Sequence, residues 1–169
     1  MIKIILDNGV PEPRYETTGA AGIDVRAEKL LALYKGDVPA EPAKLKILQE
    51  KFLEQGYIKL RAHERALFGT GIKIADMSPD IEIQVRNRSG QSLKKGLLVA
   101  NSPGTIDSDY RGEIGIILVN STPFLNKVER RDRIAQLVVA KIEKQPFLIS
   151  EEVVETERGS GGFGFTGTK

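Results

Sequence analysis

Residues 101–120 read NSPGTIDSDYRGEIGIILVN, and two patterns meet inside them. The second half, from Ile114 onward, is a nearly continuous apolar run with the composition of a buried strand. The first half is polar: Ser102-Pro103-Gly104, then Asp107, Asp109, Tyr110 and Arg111. A turn entering a core strand needs a glycine and an Asx residue. It does not need Asp-Ser-Asp-Tyr-Arg, and that surplus marks chemistry.

Strand patterns continue on both sides. In IEIQVRN (81–87), Ile81, Ile83 and Val85 fall on one face and Glu82, Gln84 and Arg86 on the other. ALFGTGIKIA (66–75) is apolar with two glycines, as in a strand with a bulge or a close backbone approach. IAQLVVAKIEK (134–144) and PFLIS (146–150) read as further strands. Turn signals separate the runs at Ser78-Pro79-Asp80 and Ser121-Thr122-Pro123. Short strands with frequent turns predict an all-β sandwich or barrel. One segment differs. EPAKLKILQEKFLEQG (41–56) sets Leu45, Leu48 and Phe52 at helical spacing, with Pro42 near the first turn and Gly56 as a stop. It predicts one inserted amphipathic helix, sealing an edge of the β core or holding an unknown partner.

Composition narrows the class. The 169 residues fit one domain, residues 1–150, followed by an appendage, residues 151–169. The net charge of +2 comes from mixed acids and bases, with no dense basic block of the kind long nucleic acid requires. With no cysteine, disulfides, thiolate metal sites and cysteine nucleophiles are excluded. MIKIIL is too short for a membrane span or a signal core, so a cytoplasmic protein without membrane or nucleic-acid partners is expected. The single histidine, His63, and the lack of a G-x-S-x-G elbow argue against serine-triad chemistry. GSGGFGFTG (159–167) is no P-loop, because Thr168-Lys169 reverses the required order and the chain then ends. Its composition is that of a mobile tail. Its amides, with Arg158, could still wrap a phosphate chain.

Further polar islands stand where a β core would not ask for them. Asp24 sits inside GAAGIDVRA, Arg88-Ser89-Gly90 ends a strand in RNRSGQSLKKG, and Gln136 opens an apolar run in RRDRIAQLVV. Each alone could be a turn or a strand-end salt bridge. In order, AGIDVRA, RSG, NSPGTIDSDYRGE, RDRIAQL and RGSGGFGFTG resemble the five motifs of the trimeric deoxyuridine triphosphatases, spanning residues 19–167.

The resemblance implies a jelly-roll-like, distorted β-barrel, a homotrimer with shared active sites, and hydrolysis of dUTP to dUMP and pyrophosphate with Mg2+. That reaction supplies dUMP for dTTP synthesis and keeps uracil out of DNA. In this family the third motif forms a β-hairpin that receives the nucleoside. Asp107 would be the general base. Asn101, with the backbone of Gly104, Thr105 and Ile106, would line the uracil pocket. Tyr110 would pack on the deoxyribose and exclude a ribose hydroxyl. Ser89, Gly90 and Gln136 would meet phosphate oxygens, with Arg88 at the subunit junction. Asp24 would reach magnesium through water. From the arm of a neighbouring subunit, Arg158 would hold the γ-phosphate, Phe163 would stack on uracil and close the site, and Gly162 and Gly164 would bind substrate beside it. Asp109 would be structural.

Three departures stand out: Arg131 where the family favours glycine, Phe165 where it favours serine, and Asn87 for proline. A turn needing positive φ at Arg131 would be strained. Three rivals stay open at this level. One is deamination of dCTP on the same fold. Another is a regulatory binding protein that uses the 41–56 insert with nucleotide as a switch. The third is a single-strand binder using the Gly/Phe tail.

Overall fold

A computed structural model describes residues 1–162, 165 and 167. Twelve strands and two helices follow one another as β1 (Lys3–Leu6), β2 (Ile23–Arg26), β3 (Lys29–Lys35), β4 (Val38–Pro39), α1 (Pro42–Gln55), β5 (Tyr57–Leu60), β6 (Glu64–Asp76), β7 (Ile81–Arg86), α2 (Ser89–Lys95), β8 (Leu97–Val99), β9 (Gly104–Ile106), β10 (Glu113–Asn120), β11 (Asn126–Glu129) and β12 (Arg133–Lys141). The larger sheet has the order β4-β3-β6-β10-β8, with β1 also on β6. A second sheet runs β2-β12-β7-β9, and β11-β5 form a ribbon. This is the expected β architecture. Alternation builds it: Ile83 and Val85 are buried while Arg86 is exposed, and Ile114, Ile116 and Leu118 of β10 are wholly buried.

The predicted helix is α1. Pro42 occupies its first turn, and Gly56 caps its end at φ 76°. Phe52 is fully buried with its ring 5.6 Å from that of Phe68, and Leu45 and Leu48 pack beside it. Burying that phenylalanine is worth about 2–3 kcal/mol. The apolar stripe of the insert therefore faces β3 and β5 and seals the core.

Two expectations are corrected. A second, short helix begins within the RSG island, so the insert is not the sole helix among the described residues. PFLIS forms no strand. Residues 142–150 have neither helix nor ladder, and Phe147, Leu148 and Ile149 stand at 87–102% exposure.

The Arg131 expectation is met: this non-glycine residue has φ 68°. Its amide donates to Ala27 O at 2.7 Å and its carbonyl accepts from Arg26 Nη1 at 2.8 Å, which holds the turn in place. Left-handed backbone costs a side-chain-bearing residue about 1 kcal/mol. The compensating contact, Arg131 Nε to Glu28 at 3.9 Å, is long and largely exposed on the arginine side. Arg131→Gly is therefore expected to stabilise the fold by roughly 0.5–1 kcal/mol, a rise in Tm of about 1–3 °C by calorimetry. A fall in Tm would show that the charge beside Glu28 outweighs the strain.

Candidate active site

The β2-β12-β7-β9 sheet carries four of the five polar islands. Pairing puts Gln136 opposite Asp24 on β2 and opposite Arg86 on β7. β7 in turn pairs with β9 through Ile83–Ile106, Gln84–Thr105 and Val85–Gly104. The sheet order thus gathers segments that lie far apart in the chain.

At one end, Arg88 ties three of them together. Its Nε donates to Asp24 Oδ1 at 2.8 Å, and its Nη1 donates to Arg133 O at 3.0 Å. Arg133 Nη1 lies 3.2 Å from Asp24 Oδ2, so two guanidinium groups engage both oxygens of that carboxylate. Gln136 Nε2 donates to Asn87 O at 2.8 Å. A Cβ on Gly22 would stand 2.8 Å from Gln136 Oε1, which accounts for the glycine of the first island. Asn87 also has work here: its Oδ1 accepts the Val99 amide at 2.6 Å, joining this island to β8. Ser89 and Gly90 are exposed on the first turn of α2, ahead of its first intrahelical donor, Gln91. Amides at that position have no intrahelical partner.

The opening stretch bridges the sheets. β8 pairs with β10 in the larger sheet, while β9 pairs with β7 in the smaller one. The motif thus connects the antiparallel partners β8 and β10 and, between them, crosses to the smaller sheet through β9. Asn101 folds back over Gly104, where an added Cβ would come within 2.9 Å of Asn101 Nδ2 and 3.3 Å of Val85 Cβ. The Ser102–Pro103 peptide within this crossover is cis. Ile106 packs on the core, so alternation turns Thr105 and Asp107 outward. A turn follows, closed by the Tyr110 amide on Asp107 O at 3.1 Å. Tyr110 Oη donates to Glu113 O at 2.9 Å, and the ring lies against Gly112.

A cavity of about 470 Å³ is lined by Asn101, Thr105, Ile106, Asp107 and Tyr110 together with Leu31, Leu67, Glu113, Gly115 and Ile117, which alternate with the buried residues of β3, β6 and β10 and so lie on the outer face of the larger sheet. Asp107 also borders a second cavity, of about 330 Å³, shared with Glu82 and Lys144. One wall is apolar and the rim carries amides and a carboxylate, which suits a planar base on a charged tail.

The family model described as dUTPase matches residues 52–167. A curated deoxyuridine 5'-triphosphate nucleotidohydrolase of Fusobacterium nucleatum is 42% identical over 166 residues, 98% of this chain and 96% of that protein. One from Chlamydia pneumoniae is 44% identical over 165 residues, 96% of this chain and 94% of that protein. The chain belongs to the dUTPase family. The family match begins at Phe52, so the Asp24 island and most of α1 rest on the whole-length relatives instead. Among solved structures, a mutant of the Staphylococcus bacteriophage 80alpha dUTPase with dUpNHpp superposes with a TM-score of 0.73 at 20% identity, covering 99% of this chain and 98% of that one. At that identity the likeness speaks for the fold alone, and the dUTPase fold agrees with the jelly-roll-like expectation. No helix among the described residues is long and apolar enough to cross a membrane.

The fifth motif stands apart from the dUTPase core. Arg158 Nε donates to Gly161 O at 2.8 Å, and the guanidinium lies 5.9 Å from the centroid of the Phe165 ring, which rests on Gly161. Gly162 is exposed, while the expected contacts of Phe163 and Gly164 lie outside the described residues. Two features escaped the sequence reading. One is α2, and the other is the charged group Asp7–Lys29–Glu113 beneath Tyr110. The glycine pair at 69 and 71 was its only signal in the sequence.

Proposed function

We propose that the chain hydrolyses dUTP to dUMP and pyrophosphate at a site shared between subunits of a homotrimer. The observation that carries this reading is the convergence of four polar islands on the β2-β12-β7-β9 sheet, with Asp107 leaving β9 beside a nucleoside-sized cavity. The names of the whole-length relatives support the same substrate.

In this reading the base enters against Asn101 and the β9 backbone, in a space too narrow for the thymine methyl. Tyr110 lies under the sugar and excludes a 2′-hydroxyl. The triphosphate extends toward Ser89, Gly90 and Gln136. Arg88 and Arg133 hold Asp24 in place and make that end of the site positive. Asp107 accepts a proton from a water aligned with the α-phosphorus. The new P–O bond forms as the bond to the bridging oxygen breaks, and pyrophosphate leaves.

Residue chemistry also bears on magnesium. Asp24 has both oxygens engaged by guanidiniums, and the described residues contain no group of three or more metal-ligating side chains. That set does not fit a protein cage. It fits a hydrated cation held on the phosphates, with Asp24 meeting one of its waters. So bound, the ion would neutralise phosphate charge; a solved relative from phage phi11 of S. aureus is described with a structural Mg(II) ion.

Phe147, Leu148 and Ile149, and beyond Ser150-Glu151-Glu152 also Val153 and Val154, are apolar side chains that one chain leaves open to water. Another copy would cover them, which supports an arm that reaches across to a neighbouring subunit. A regulatory docking role for α1 is not favoured, since Phe52 is buried against Phe68 and Leu45 and Leu48 pack on the core.

The test is pyrophosphate release from dUTP, dCTP, dTTP and UTP in parallel, with magnesium. Preference for dUTP by two orders of magnitude or more over each competitor is expected, on the order that a shaped polar pocket provides. Ammonia release from dCTP would replace this reading with the deaminase.

A further inference from the structure

Below Tyr110, a charged group spans three strands of the larger sheet and the turn after β1. Glu113 opens β10 at a register shift against β6. Its Oε1 accepts the Gly71 amide at 2.7 Å, and its Oε2 lies 2.9 Å from Lys29 Nζ. Lys29 Nζ also donates to Asp7 Oδ2 at 2.7 Å. Hydrogen bonds to both acids raise the Lys29 pKa above the usual lysine range, so the ammonium is held charged.

The backbone beneath is shaped to receive these side chains. A Cβ on Gly69 would meet Glu113 Oε1 at 2.5 Å and Lys29 Cγ and Cε at 2.9 Å. Gly71 has φ 69°, and a Cβ there would meet Val10 Cγ2 at 2.5 Å. The Glu113 side chain is only 16% exposed. So much local accommodation exceeds what stapling two strands requires.

The connection to the site is the backbone of Glu113, whose carbonyl accepts the Tyr110 hydroxyl at 2.9 Å. We propose that Lys29 and Glu113 are specificity-determining positioning residues: their ion pair fixes the carbonyl that anchors Tyr110, and so fixes the ring that shuts out ribonucleotides. This rests on the proposed sugar contact of Tyr110. Without the Lys29 tie, the start of β10 relaxes, the carbonyl moves, and the ring gives way to a 2′-hydroxyl. A 1 Å displacement is enough to matter at such a contact.

The test measures kcat/KM for dUTP and UTP in the wild type, Lys29→Met, Glu113→Gln, Tyr110→Phe and Tyr110→Ala. Lys3→Met, which breaks the peripheral Lys3–Asp76 pair on the same sheet, is the control. Lys29→Met, Glu113→Gln and Tyr110→Phe are each expected to reduce the dUTP:UTP preference about tenfold, chiefly by faster UTP turnover. Lys29→Arg is expected to keep it, and so is Lys3→Met. A purely structural staple would lower Tm and slow both substrates alike, leaving the ratio unchanged. Loss of the preference in Tyr110→Ala, but its retention within twofold in Lys29→Met and Glu113→Gln, would overturn the proposal and leave the sugar contact standing. A wild type that turns over dUTP and UTP equally would overturn both.

Discussion

Asp107→Asn is expected to lower kcat for dUTP by about 10³–10⁴-fold while leaving the Kd of a non-hydrolysable analogue within a few-fold. The side chains are nearly isosteric, and the backbone of residue 107 is held from both sides: β9 pairs with β7, and the Tyr110 amide closes the following turn. The exposed amide of Asn can still sit against a water, but it cannot take the proton that the attacking oxygen must lose. The pocket contacts at Asn101 and Tyr110 do not involve this carboxylate, so binding should survive. Single-turnover quench kinetics beside an equilibrium titration separates the two effects. Hydrolysis within tenfold of wild type would remove Asp107 from the chemistry.

Deleting residues 151–169 is expected to reduce kcat/KM by about 10²–10³-fold with little change in Tm. The stability argument follows from burial. Residues 151–159 are exposed, and the last strand, β12, ends at Lys141. The core from Val25 to Leu137 loses nothing. The catalytic loss has two sources, the Arg158 charge on the phosphates and the exclusion of water when the arm closes. In the described state Arg158 is turned inward onto Gly161 and Phe165, so closure must exchange those contacts for phosphate. Steady-state kinetics with calorimetry on the truncated chain reads both quantities. An unchanged kcat/KM would make the arm a spacer.

Much of this molecule was legible because its signals are local. Ile81, Ile83 and Val85 alternate, Leu45, Leu48 and Phe52 repeat with a helical period between Pro42 and Gly56, and both patterns appear as read. The positive φ at Arg131 was legible as a departure from a glycine turn. Three features were not legible, each for a physical reason. The seven-residue α2 carries one large apolar residue, Leu93, and that residue is exposed, so no periodicity announces the helix. PFLIS has strand composition, but it pairs with no strand and its apolar side chains stand exposed, so composition alone does not place it in a sheet. The Lys29–Glu113 pair joins distant segments. A lysine and a glutamate look like ordinary surface charges until Gly69 brings their side chains onto its backbone. Of the proposed site, the residue types could be read in order, whereas the sheet-to-sheet crossover at Asn101 and the clamp of Arg88 on Asp24 required three dimensions.

If each site combines Asp107 of one subunit with the arm of another, two inactive chains should complement each other in one assembly. Co-expression of differently tagged Asp107→Asn and arm-deleted chains, with purification through both tags, isolates assemblies that contain both inactive partners. Restored dUTP hydrolysis, at a fraction of the wild-type rate set by the number of complemented sites, is the predicted result. Mixed assemblies as inactive as either parent would contradict it, because an arm that closes its own subunit cannot rescue a neighbour.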